Sequence, residues 1–134
     1  TRKESLNAMH EWFGRFSDPT VRCAAIEAFA QNAFYDGTAK KEQLLAEFPD
    51  GAERDAVLRG MVATENKKGG SGAESAAETA LQISDPQKRH DTLDDFVIDW
   101  LHRDPRTARQ WLSNPERIPR EWSAAWLAEA ERTR

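Results

Sequence analysis

The residues best suited to chemistry in this sequence are its histidines and a run of aspartates. His90 and Asp91 are adjacent, His10 lies upstream, and Asp94, Asp95 and Asp99 follow within nine residues. Imidazole and carboxylate together can hold a divalent metal that activates water. One reading is therefore a metal-dependent hydrolase on a helical bundle, with His10, His90, Asp91 and Asp99 as ligands. Other routes to catalysis are poorer. Ser84 and Ser113 have no His-Asp partners at a telling position, and the glycine cluster from Gly69 to Gly72 lacks the strand that precedes a phosphate loop. The single cysteine, Cys23, excludes an internal disulfide framework and a cysteine-based zinc cage, and is expected to be a half-exposed thiol.

A second set of residues suits binding. Arg22, Arg54 and Arg89 recur in equivalent places and could grip an acidic peptide along a groove. The simpler expectation is structural: Asp18, Asp50 and Asp85 each lie four residues earlier, the spacing that pairs Asp with Arg on one helix face. Trp100, Trp111, Trp122 and Trp126 crowd into 27 residues, and aromatic anchors are enriched at binding hot spots. Trp100 and Trp111 fall on apolar stripes and are expected in the core. Trp122 and Trp126 lie four apart near the end of the chain, where their face suits either a following repeat or a homodimer contact through the C-terminal helix.

The elements that must position these residues repeat. Phe16-Ser17-Asp18-Pro19-Thr20-Val21-Arg22, Phe48-Pro49-Asp50-Gly51-Ala52-Glu53-Arg54 and Ile83-Ser84-Asp85-Pro86-Gln87-Lys88-Arg89 share one pattern, starting 32 and then 35 residues apart. Asp supplies a helix cap and Pro fits the first helical position. After each Arg, apolar residues follow at helical offsets: Ile26, Phe29, Ala30, Ala33 and Phe34; Leu58, Met61 and Val62; Leu93, Phe96, Val97, Trp100 and Leu101. A degenerate fourth corner spans Ser113 to Pro119. In this alignment His90 matches Cys23 and Asp55, as an exposed, variable position would, which weighs against the metal site.

Eight helices in four antiparallel pairs are predicted, as an α-solenoid-like right-handed array or a compact helical-repeat bundle. The first runs from Arg2 to Phe16. Gly37 breaks the second, and Thr38 caps the third. The fourth is expected to end early, at polar Glu65 and Asn66, before a flexible linker over 67–72. Ser71 and Glu74 have the form of a capping box, and the fifth helix covers Ala73 to Ile83. The sixth stops near His102, a seventh starts at Asp104-Pro105, and the last covers Pro119 to Arg132. The 134 residues thus form a single helical-repeat domain of units 2–35, 38–66, 72–103 and 105–132. No segment alternates long enough for a strand.

Bulk properties narrow the partners. The net charge of −4 gives no electrostatic case for nucleic acid, and no apolar run reaches the length of a membrane span. The chain starts at Thr1 and stops inside helix-like sequence, which reads as a segment of a longer protein. Trp100-Leu101-His102-Arg103-Asp104-Pro105-Arg106-Thr107-Ala108-Arg109-Gln110-Trp111-Leu112 and Phe48-Pro49-Asp50-Gly51-Ala52-Glu53-Arg54-Asp55 resemble the units of degenerate bacterial two-helix α-solenoid repeats, the tetratricopeptide and HEAT-like group. That resemblance implies a scaffold for a protein or peptide partner, without catalytic residues or a cofactor. On this reading the candidate partner-binding residues are Trp122, Trp126, Arg22, Arg54 and Arg89. A structural spacer with no ligand is the further alternative.

Overall fold

A computed structural model describes residues 2–35, 40–68 and 71–133, with side chains from Ala8 onward. Among these residues the chain is all-α, with eight helices and no strand: α1 (Arg2–Phe13), α2 (Pro19–Tyr35), α3 (Lys41–Glu47), α4 (Gly51–Lys67), α5 (Gly72–Ala80), α6 (Pro86–Arg103), α7 (Pro105–Leu112) and α8 (Arg120–Arg132). The expected break at Gly37 and cap at Thr38 lie outside the described residues.

The repeated corner starts helices by two routes. Asp85 Oδ1 accepts from the backbone N–H of Gln87 at 2.9 Å and of Lys88 at 3.3 Å, while Pro86 takes the first helical position. Asp18 does the same for Thr20 and Val21, at 2.8 and 3.3 Å. A cap of this kind stabilises a helix by about 1 kcal/mol. The corner at Asp50 works differently, because Asp50 makes no side-chain cap bond. Gly51 instead takes φ +74°, a conformation that costs glycine little because it has no Cβ.

Several predicted boundaries move. α1 stops at Phe13, where Gly14 and Arg15 form a turn. α5 starts at Gly72 and closes at Ala80, with Leu81 and Gln82 turning. Ser71 holds the N-cap position of α5 but makes no side-chain cap bond. The largest departure is α4, which passes straight through Glu65 and Asn66 to Lys67. Its polar end is compatible with burial because the carboxylate of Glu65, 5% exposed, is hydrogen-bonded: Thr79 Oγ1 donates to it at 2.7 Å and Ser75 Oγ donates to its other oxygen.

α4 is the central element. It packs along α2 on one side and α5 on the other, and also touches α3 and α6; α6 in turn packs against α7 and α8. Both long seams rely on glycine. A Cβ added to Gly60 would lie 2.5 Å from Glu27 O and 2.9 Å from Gln31 N, so α2 and α4 approach backbone to backbone. One added to Gly72 would lie 2.4 Å from Glu65 O, where α5 begins. Around these seams the apolar stripes form two clusters. One gathers Met9, Phe13, Ile26, Ala30, Leu44, Phe48, Val57 and Met61; the other gathers Val62 with the alanines of α5 and Leu93, Phe96, Trp100, Trp111 and Trp126. Each fully buried large side chain of this kind contributes about 1.5–3 kcal/mol.

Candidate binding groove

Helix spacing opens a groove along one face of α4. Its floor is made by Ala52, Ala56, Arg59, Val62, Ala63, Asn66 and Lys67, and its walls by α2 and α6. Small side chains at 52, 56 and 63 keep the floor low. The groove has two lobes, about 410 and 280 Å³. The first is lined by first-turn residues of three helices, Pro19 and Thr20 of α2, Ala52 of α4 and Lys88 of α6, together with Cys23 and Ala24. The second is lined by Gln31, Val62, Ala63, Asn66, Lys67, Thr92, Asp95 and Phe96. Glu27 and Arg59 belong to both lobes, and their ion pair, Nε to Oε1 at 3.2 Å, crosses between them.

The polar atoms of the groove are unevenly satisfied. Asn66 Oδ1 is buried and has no hydrogen-bond partner among the described residues. A buried amide oxygen left without any partner costs about 1–3 kcal/mol. Thr92 is already committed, donating to the carbonyl of Lys88 at 2.6 Å.

The arginines singled out in the sequence lie elsewhere. Arg22, Arg54 and Arg89 are half-buried and are not among the described lining residues of either lobe. The Asp–Arg pairs expected within each corner do not form. Arg89 instead donates from Nε to Ile83 O at 2.9 Å and from Nη2 to Ser84 O at 3.4 Å. Arg54 donates to the carbonyls of Leu45 and Phe48 at 3.3 and 3.5 Å. These two guanidinia thus bind backbone carbonyls at or just after the end of the preceding helix, Leu45 O also accepting from Phe48 N at 3.3 Å. Arg22 lies 2.6 Å from Glu53 Oε1 at an angle unsuited to a hydrogen bond, so that contact is ionic.

The tryptophans are also placed by packing. Trp100 and Trp111 are buried, and Trp111 Nε1 donates to Glu78 Oε1 at 3.1 Å. Trp126 is 2% exposed and its Nε1 donates to Asp94 Oδ1 at 2.8 Å. Trp122 is half-buried, with its ring centroid 6.0 Å from that of Trp126. His90 fits against both, its ring 4.8 Å from Trp122 edge-on and 5.4 Å from Trp126 nearly parallel. The Trp122–Trp126 face is therefore turned toward α6 of its own chain.

The groups proposed as metal ligands are dispersed among other partners. His10 Nε2 lies 2.7 Å from Glu47 Oε2 on α3, whereas His90 packs on α8. Asp91 accepts from Gln87 Nε2 at 2.9 Å and Asp99 pairs with Arg103 Nε at 2.7 Å. Among the described residues no group of three or more His, Cys, Asp or Glu side chains is placed to hold a metal ion. Nor is any described helix long and apolar enough to cross a membrane.

Sequence reasoning missed two carboxylates. Asp55, treated as an exposed position through its alignment with Cys23 and His90, is 2% exposed. It accepts from Ser84 N at 2.8 Å, Ser84 Oγ at 2.9 Å and Asp85 N at 3.2 Å, fastening the third corner to α4. Glu65 reads in the sequence as a polar helix end. The sequence signal available for both was hydroxyl residues at 75, 79 and 84, one helix downstream. Comparison with family models, curated proteins and solved structures found no match.

Proposed function

We propose that the chain is a helical-repeat scaffold, four helix pairs stacked through their second helices, that binds a peptide segment of a protein partner and has no catalytic activity of its own. The order of contacts supports the stacking: α2 meets α4, α4 meets α6 and α6 meets α8, as successive units of a solenoid would. The binding role rests on one observation, the two-lobed groove over α4 between α2 and α6, with its floor of small side chains. A peptide backbone supplies N–H donors at regular intervals, and a groove with a small-residue floor admits one. The hydrolase alternative draws no support from His10 and His90, which pack against different helices.

The test uses Cys23, the only cysteine in the chain and a lining residue of the first lobe. Peptides selected by display against the whole chain are expected to slow alkylation of Cys23, and to lose binding when Ala63→Arg fills the second lobe. Selected peptides that leave Cys23 alkylation unchanged and bind the Ala63→Arg variant equally well would place binding elsewhere.

A further inference from the structure

We propose that the first lobe of the groove seats a carboxylate of the bound peptide, with Lys88 as its counter-ion. The inference rests on the peptide-binding reading above and adds the chemistry of the ligand. Charge is spread unevenly over the groove. Its described lining carries Arg59, Lys67 and Lys88 against Glu27 and Asp95, an excess of one positive charge on a chain whose net charge is −4. The excess belongs to the first lobe. Glu27 and Arg59 line both lobes and neutralise each other at 3.2 Å, and in the second lobe Lys67 is offset by Asp95. Lys88 is left as the unbalanced charge of the first lobe. It is half-buried, and among the described residues its ammonium makes neither an ion pair nor a hydrogen bond.

The acids nearest to Lys88 along the chain are turned to other donors. Asp85, three residues before it, accepts from the backbone N–H groups of Gln87 and Lys88. Asp91, three residues after it, accepts from Gln87 Nε2. At the start of the opposite wall, Asp18 accepts from Thr20 N and Val21 N. These carboxylates are exposed, so what Lys88 gains from them is attraction screened by solvent. A carboxylate inside the lobe would instead meet Lys88 between walls that exclude part of the water, where a charge pair is stronger. The surrounding Pro19, Ala24, Ala52 and Ala56 side chains offer no hydrogen bond that would compete for it. One unbalanced cation suits a single negative charge, which selects a carboxylate over a dianionic phosphate.

Cys23, in the same lobe, reports the local charge without any peptide. The probes are iodoacetate and iodoacetamide, which alkylate by the same displacement of iodide and differ in charge. Their rate ratio on the whole chain cancels changes in access and in thiol ionisation. Lys88→Gln is expected to lower the ratio of the anionic to the neutral reagent about twofold, and Lys88→Glu about fourfold, at low salt. Lys67→Gln, the same charge change in the second lobe, should lower it less, and high salt should shrink every difference. Circular dichroism checks that each variant keeps its fold. Short random peptides displayed against the whole chain should be enriched in a carboxylate for the wild type, and in Lys or Arg at that place for Lys88→Glu. Amidating the C-terminus of a selected peptide separates a chain-end carboxylate from that of Asp or Glu. A reagent ratio unchanged in both Lys88 variants would overturn the proposal. So would selected peptides that shield Cys23 and are excluded by Ala63→Arg yet show no preference for acid, a result that leaves the peptide-binding reading standing. Peptides that fail both of those groove tests would overturn the reading and the proposal with it.

Discussion

α4 treats its two neighbours differently. Toward α2 it keeps its charges at the edge: Arg59 pairs with Glu27 and Glu53 with Arg22, each side chain more than a third exposed. Between those edges the seam is apolar and close, with Gly60 against the α2 backbone and Thr64 Oγ1 donating to Gln31 O at 3.0 Å. Toward the segment from α5 to the third corner, α4 instead turns two carboxylates inward. Glu65 takes the hydroxyls of Ser75 and Thr79, and Asp55 takes the backbone and hydroxyl of Ser84. Exposed ion pairs contribute about 0–1 kcal/mol, whereas hydrogen bonds to a charged acceptor contribute about 1.5–3 kcal/mol each, and here the acceptors are buried carboxylates. Two seams of similar closeness therefore differ in what breaks them: packing on the α2 side, hydrogen bonding on the other.

Substitutions can separate the two. Asp55→Ala should have the largest effect, about 3 kcal/mol of lost stability in urea unfolding, because it strands two backbone N–H groups and a hydroxyl at once. Asp55→Asn, which keeps one acceptor oxygen, should lose less. A loss from Asp55→Ala no greater than that of an exposed carboxylate would erase the contrast. Gly60→Ala comes next, at about 2 kcal/mol, since its Cβ would meet backbone atoms that yield only if α2 shifts as a whole. Thermal melting read beside Gly72→Ala would show whether the seams are equally unforgiving of a methyl group. Glu65→Gln should cost about 1 kcal/mol, because the amide oxygen still accepts from one hydroxyl and the other can turn to its own helix carbonyl. The smallest change is expected from Arg59→Ala, about 0.5 kcal/mol and falling further in high salt. A cost above that of Glu65→Gln would reverse the order assigned to the two sides.

Exposed charge at the far end of the chain offers a pH control. Glu129 has its carboxyl held below the usual glutamate range by the hydrogen bond from Arg132, with the charge of Arg132 adding to it. A depressed carboxyl contributes stability above its unfolded pKa and loses it as the pH falls through the folded one. The pair lies at the surface, Arg132 72% and Glu129 36% exposed, so solvent screens it: an NMR titration of Glu129 should show a low midpoint while the melting temperature of Glu129→Gln stays close to that of the wild type.

Much of the fold was legible because it is written locally. The caps at Asp18 and Asp85, the proline at the first helical position and the apolar stripes all depend on residues within a turn or two of each other. What could not be read depends on distance along the chain. Asp55 meets Ser84 from 29 residues away, and the repeat alignment hid it by averaging Asp55 with Cys23 and His90. Glu65 looked like a polar helix end because its partners lie on the following helix. The arginines were correctly singled out as part of the corner but given the wrong partner, since sequence spacing favours a carboxylate four residues back and cannot register a carbonyl released by the end of the preceding helix. The groove was invisible for another reason. Ala52, Ala56 and Ala63 read as ordinary helix formers, and only the separation of α2 from α6 turns them into a floor.

The reach of Asp55 and Glu65 bears on how the molecule comes apart. By composition the stretch from Lys67 to Gly72 is the natural place to divide the chain into two independent halves. Yet α4 sends both of its buried carboxylates to the far side of that stretch. Unfolding of the second half would strip both carboxylates of their donors and uncover the face of α4 that packs on α5, and unfolding of the first would free the corner that starts α6. The halves are thus thermodynamically locked to each other. The slowest-exchanging amides of α4 and α6 should share one opening free energy, and the chain should melt in a single transition rather than unit by unit.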